Sequence, residues 1–226
     1  MSILSDIWLL IMANGWTLAV DTSTVVNVGI ARDGKILATA FVADRMAHVE
    51  KLTPLIAACV ESAGVRFADL GQIVVGLGPG PFTGLRVGIV SAQVLAAVLG
   101  SALHGVCSLD VLAAQHEPQG REFVVATDAR RHEVYWARYG PDGRRIGQPQ
   151  VSAPHTLPDL PVVGPAADLH ADRLRAVPGP RVLDPGILAL VGPSLPDAGH
   201  EPLYLRRPDA TESIRRKSVL HFGGRR

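Results

Sequence analysis

An α/β fold built from two related halves is predicted here by three observations. Strand-like runs open the chain, a helix–strand–helix–strand alternation follows them, and a shorter, strand-rich echo of the opening begins near residue 122. The first strands are "WTLAVDTS" (16–23), "VVNVGIAR" (25–32) and "KILATAFVA" (35–43), the last two joined by Asp33-Gly34, a tight-hairpin signal. In "HVEKLTPLIAACVESAG" the residues Val49, Leu52, Leu55, Ile56, Cys59 and Val60 recur at helical spacing, and Gly64 is the stop signal. Pro54 should either kink this helix or mark its true first turn. "QIVVGLG" (72–78) is a short, continuously apolar strand, a second helix covers 83–99, and "ALHGVCS" (102–108) is the next strand.

That order is the one found in the ribonuclease-H-like half of two-lobed, actin-like (ASKHA) folds, which come as duplicated halves around a cleft. The second half is degraded. It offers strands in "EFVVATDAR" (122–130) and "HEVYWARYG" (132–140), a Pro141-Asp142-Gly143 turn, and a strand in "LPVVGPA" (160–166). Prolines cluster from Pro149 onward, which predicts a loop-rich region poor in helix. The expected organisation is a leader at 1–15, an N-terminal lobe at 16–108, a C-terminal lobe at 109–210 and a basic tail at 211–226.

Composition narrows the function. The 226 residues are 47% hydrophobic and 19% charged, with 22 basic and 21 acidic side chains leaving a formal charge of +1. Such a chain is globular and carries no global field for nucleic acid, so any RNA contact must be local or belong to a partner. Cys59 and Cys107 form neither a CxxC motif nor a disulfide framework, which suits a reducing cytoplasm. The apolar patch at 7–12 has no preceding Lys or Arg and is too short to span a bilayer, so no export is expected. Met12 is an alternative start to a leader that frays or packs on the surface.

The stretch "GLGPGPFTGLRVGIVSAQ" (76–93) superficially looks like a phosphate loop running into a helix. Pro79 and Pro81 remove backbone donors that an anion cradle needs, and no Gly-Lys-Ser/Thr ending is present. Its glycines instead suit a sharp turn off a buried strand into a closely packed helix. At the end of the first strand, Asp21, Thr22 and Ser23 could contact a nucleotide, matched in the second half by Asp128 with Arg130; the same residues equally suit side-chain-bonded turns. No two histidines sit three or four apart on a convincing helix, so no metal site is expected; no catalytic triad stands out either.

The stronger signal is apolar. Over 83–99 the only charged residue is Arg86, so the helix is apolar on all sides and one sheet covers only one of them. The small residues Gly84, Gly88, Ser91, Ala92 and Ala96, with Arg86, Leu95 and the first helix's Ala57, Ala58 and Ser62, are the predicted partner interface. The alternative is that the second half of the chain covers this surface.

The motifs "LAVDTST", "GPGPFTGLRVGI", "TDARRHEVYWARY" and "EPLYLRRP" occur in the order and spacing of the TsaB family, which the chain resembles over residues 16–208. Pro81 stands where that family usually has Ser. The resemblance implies an actin-like fold without transferase activity. It also implies pairing with TsaD through N-terminal-lobe helices, recruitment of the ATPase TsaE, and transfer by TsaD of a threonylcarbamoyl group to the anticodon-adjacent adenosine of tRNA. The catalytic relative's His-x-x-x-His pair here reads His48 to Leu52, so the second ligand is missing. Three readings follow: a noncatalytic scaffold with no cofactor of its own, a small-molecule kinase or metal-dependent hydrolase at Asp21 and Asp128, and a nucleotide (ATP or ADP) held at a shared interface. Self-association is expected when TsaD is absent, no membrane contact is expected, and the basic tail could touch tRNA phosphates.

Overall fold

The computed structural model describes residues 15–42 and 48–206. The leader and the basic tail expected from sequence fall outside them, apart from Gly15. Three strands come first: β1 (Trp16–Asp21), β2 (Val26–Arg32) and β3 (Lys35–Val42), with Asp33 and Gly34 both at positive φ in the hairpin turn. Helix α1 (His48–Ser62) follows, then β4 (Leu70–Gly76), α2 (Phe82–Leu99) and β5 (Ala102–Val106). Pro54 lies inside α1 rather than at its first turn.

These strands form one sheet in the order β3-β2-β1-β4-β5, antiparallel between β1, β2 and β3 and parallel between β1, β4 and β5. Side chains alternate across β1. Leu18 and Val20 join Ile30, Ile73, Leu52, Ile56, Leu85 and Ile89 beneath α1 and α2. Ala19 lies on the opposite face, in a second core. Burying each large aliphatic side chain contributes about 1.5–3 kcal/mol, so this two-sided arrangement anchors the molecule.

A second sheet, ordered β8-β7-β6-β9, combines β6 (Phe123–Asp128), β7 (Val134–Tyr139), β8 (Arg145–Ser152) and β9 (Val162–Val163). Helix α3 (Ser108–Ala114) lies between the sheets: Leu109 and Leu112 meet Phe123, Val125 and Tyr139 there. Asp110 on α3 accepts a hydrogen bond from the Tyr139 hydroxyl at 2.8 Å and sits 3.6 Å from Arg145 Nε, a polar latch between α3 and the second sheet. Helix α4 (Pro165–Leu169) covers the outer face of the second sheet.

The described region after Pro149 is loop-rich and poor in helix, as expected: besides α4 it carries one short helix, α5 (Pro185–Val191), which the sequence reading did not place. Asp184 caps it, accepting from the backbone N–H of Gly186 and Ile187, and Pro185 supplies the fixed φ of a first helical residue. It packs on the first sheet, with Leu188 and Ala189 in the inter-lobe core and the Pro185 carbonyl against Gly29. A chain segment expected in the C-terminal lobe, 109–210, therefore completes the N-terminal sheet. The following segment stays there: Ala198 N–H donates to Gly105 and Leu203 N–H to Leu77.

Candidate functional site

At the end of β1 the Asp21 carboxylate is fully buried. Its Oδ1 accepts from the Ser23 backbone N–H at 2.9 Å and the Ser23 hydroxyl at 2.7 Å, and its Oδ2 from the Ser108 hydroxyl at 2.5 Å. Ser108 Oγ in turn accepts from Gly78 N–H, while Ser108 N–H donates to the Gly78 carbonyl. Thr22 donates its hydroxyl to the Gly84 carbonyl at 2.8 Å. Burial raises the Asp21 carboxyl above its ordinary range, and the Ser108 and Ser23 hydrogen bonds oppose that shift without cancelling it.

The glycine loop therefore packs on the Asp21-Thr22-Ser23 turn. A Cβ at Gly76 would overlap the Asp21 carboxylate and Ser108 Oγ, and one at Gly88 would overlap the Thr22 side chain. Thr22 and Ser23 are 1% and 5% exposed, so the nucleotide contacts expected of Asp21, Thr22 and Ser23 do not fit this geometry: their side-chain groups are committed within the chain.

The matching turn of the second sheet is built otherwise. Val124 and Ala126 face the outer core, and Phe123 and Val125 the inter-lobe core. Alternation along β6 thus places Asp128 with the outer set, away from the Asp21 side. Asp128 Oδ1 accepts from Arg130 N–H at 2.7 Å. Arg130, Arg131 and His132 are exposed and all have positive φ, near 59°, 54° and 59°. Left-handed backbone costs a residue with a Cβ roughly 1–2 kcal/mol, so this run is strained. The Glu133 N–H bonds the Arg130 carbonyl across the turn, and Arg206 fastens it by donating to the Ala129 carbonyl and pairing with Glu133. An Asp21 and Asp128 pair facing across a cleft is thus not formed.

The apolar helix α2 has two unlike faces. Gly84, Gly88, Ala92 and Ala96, predicted for a partner, are buried against the molecule's own β1 turn and sheet. Their small size lets α2 approach that turn closely, which corrects the direction assigned to them. Val90, Val94 and Val98 are 53%, 57% and 76% exposed and form the outer stripe at a spacing of four. Arg86 is exposed, and Ser91 and Leu95 are half-buried. On the neighbouring α1, Ala57, Ala58 and Ser62 are exposed as expected. The β-branched residues at a four-residue interval were the sequence signal for this outer face.

A groove of about 350 Å³ borders the stripe, lined by Arg86, Val90, Gln93, His200 and Tyr204 among others. The Arg86 guanidinium lies 3.9 Å from the centre of the Phe82 ring and donates through Nε to the Tyr204 hydroxyl, while Phe82 stacks on Tyr204. Neither cysteine is a ready nucleophile. Burial raises Cys59 to about 11 and, with the Asp110 charge adding to it, Cys107 to about 12.

Comparison with known proteins agrees with this architecture. A family model described as TsaD, tRNA N6-adenosine threonylcarbamoyltransferase, matches residues 41–184. An uncharacterized protein of Mycobacterium tuberculosis is 43% identical over 199 residues, covering 85% of this chain and 92% of that protein. The tRNA threonylcarbamoyladenosine biosynthesis protein TsaB of Escherichia coli is 34% identical over 132 residues, 57% of each chain. YeaZ from Pseudomonas aeruginosa superposes with a TM-score of 0.69 at 26% identity, covering 84% of this chain and all of that one.

Proposed function

The chain belongs to the TsaB family, and on that premise we propose that it is a noncatalytic subunit of tRNA threonylcarbamoyladenosine biosynthesis which binds and supports a TsaD-type transferase. The outer face of α2 carries this reading. Val90, Val94 and Val98 form an exposed β-branched stripe beside the exposed small residues of α1, apolar surface of the kind a partner helix would cover. A standard-size association would bury about 800 Å² on each side. The groove beside Val90 extends the surface toward Arg86 and Tyr204, where guanidinium and phenol offer polar contacts at the rim.

The sealed Asp21 turn supports the noncatalytic part. A kinase or metal-dependent hydrolase of this fold class needs a carboxylate that reaches solvent, phosphate or metal, whereas Asp21 is buried and bonded to Ser23 and Ser108. In this reading TsaE and tRNA join through the assembled pair, any ATP or ADP sits at the shared surface, and the uncovered stripe drives self-association when the transferase is absent.

Size-exclusion chromatography with light scattering, on the chain alone and mixed with its host's TsaD-type transferase, tests the proposal. A heteromeric peak is expected, and Val94→Arg should abolish it while leaving the melting temperature within about 2 °C, because that side chain lies outside the core. A chain that ignores the transferase, or a Val94→Arg variant that pairs normally, would refute this placement of the interface.

A further inference from the structure

The β6–β7 turn, Arg130 to His132, plays no part in the interface proposed above. On a chain with a formal charge of only +1, it gathers two arginines and a histidine at one exposed tip. All three residues hold left-handed backbone, the conformation that Gly or Asn normally supplies in a two-residue hairpin turn. Persistent strain of this kind needs surrounding structure to hold it, and that structure is present. Asp128 accepts the Arg130 N–H, and Arg206 is bound to the Ala129 carbonyl and to Glu133. Asp128 and Arg206 thus help to hold the turn's backbone, and the exposed tip above them carries two arginines and a histidine.

Resting on the family reading above, we propose that this turn is a contact for the tRNA sugar-phosphate backbone. Arginine guanidinium groups suit phosphate oxygens in charge and in the geometry of their donors, and backbone contacts of this type position an RNA without reading its sequence. An acidic protein partner is the weaker match, because protein interfaces are depleted of charge at their centres and the exposed valine stripe lies elsewhere, on α2. The two surfaces are nonetheless linked: two residues before Arg206, Tyr204 stacks on Phe82 at the start of α2. A tRNA presented to a transferase docked on α2 would meet this turn on the same molecule.

The test titrates an unmodified tRNA transcript, carrying adenosine beside its anticodon, against the chain paired with its host's transferase over a range of salt. Pairing is followed separately by light scattering, and folding by thermal melts. The Arg130→Gln/Arg131→Gln variant should still fold and pair, but its log–log salt dependence should flatten by up to about 1.4–1.8, from about 0.7–0.9 for each phosphate no longer neutralised, the range from single strands to duplex. Across a fourfold range of salt that corresponds to a loss of about tenfold in affinity at the low-salt end. Arg130→Lys/Arg131→Lys, which keeps the charge, should restore most of the slope. An unchanged slope, or no tRNA binding at all, overturns the proposal while pairing stands. Lost pairing with unchanged tRNA affinity assigns the turn to a protein and overturns it equally. If the unaltered chain does not pair, the scaffold reading fails by itself, and the same titration on the chain alone decides the turn.

Discussion

The turn after β1 and the turn after β6 both follow a buried strand that ends in aspartate, yet they finish as opposites. Asp21 is fully buried and bonded to hydroxyls from Ser23 and Ser108, whereas Asp128 leads into an exposed, left-handed, cationic tip. The first turn is closed by residues far away in sequence, the second by the turn itself and one arginine near the end of the described chain. Equivalent positions in a duplicated fold thus end differently, in a sealed internal contact in one lobe and an exposed basic tip in the other.

The sharpest way to break this contrast is Gly76→Ala. Its new methyl group would meet the Asp21 carboxylate and Ser108, neither of which can withdraw without losing hydrogen bonds, so chemical denaturation should show a loss of about 3 kcal/mol or more. No comparable loss is expected from any single change at Arg130 to His132, which are exposed.

Asp21→Asn should come second, costing about 1–2 kcal/mol, because an amide nitrogen would face a hydroxyl already accepting from Gly78 N–H. The pH dependence is the more specific readout. Burial raises the Asp21 carboxyl above its ordinary 3.8, so the folded chain binds that proton more tightly than the unfolded chain does. The stability it contributes is full below the ordinary value and is lost as pH rises through the raised one. In the asparagine variant this downward contribution should vanish, making stability climb more steeply, or fall less, from pH near 4 toward neutrality; parallel curves would show that Asp21 does not titrate in this window.

Arg206→Ala probes the open turn, and about 1 kcal/mol should be lost, since its ion pair with Glu133 is partly screened by solvent while its bond to the Ala129 carbonyl is half-buried. Amide exchange should quicken between Ala129 and Glu133 and stay unchanged around Asp21. The smallest effect is expected from His132→Gly, which relieves left-handed strain and should raise stability by about 0.5 kcal/mol in the same denaturation assay.

Much of the fold was legible because strands and helices announce themselves through local periodicity. The Asp33-Gly34 hairpin, the helix stopped by Gly64 and the glycine loop leading into α2 all obey rules that operate within a few residues. The inward face of α2 was not legible: with Val, Ile, Leu, Ala and Gly all round the axis, periodicity cannot say which side meets the sheet. Small residues such as Ala92 were read as room for a partner and proved to be room for the molecule's own turn. Helix α5 was missed because prolines dominated its surroundings, although Asp184-Pro185 is a helix-start signal. Strand β8 was missed because it is polar and half-exposed at a sheet edge. The sealing of Asp21 depends on Ser108, 87 residues away, and no local pattern reports a contact at that distance.

The return of α5 to the first sheet bears on how the molecule is made. As the chain leaves the ribosome, β1 to β5 emerge early, but one face of their sheet stays uncovered until Pro185–Val191 has been synthesised. The strands that emerge first are thus among the last to be fully enclosed, and while residues 107–191 are being made the nascent lobe leaves Ala19, Ala31 and Val74 without this cover, open to chaperones or to neighbouring chains.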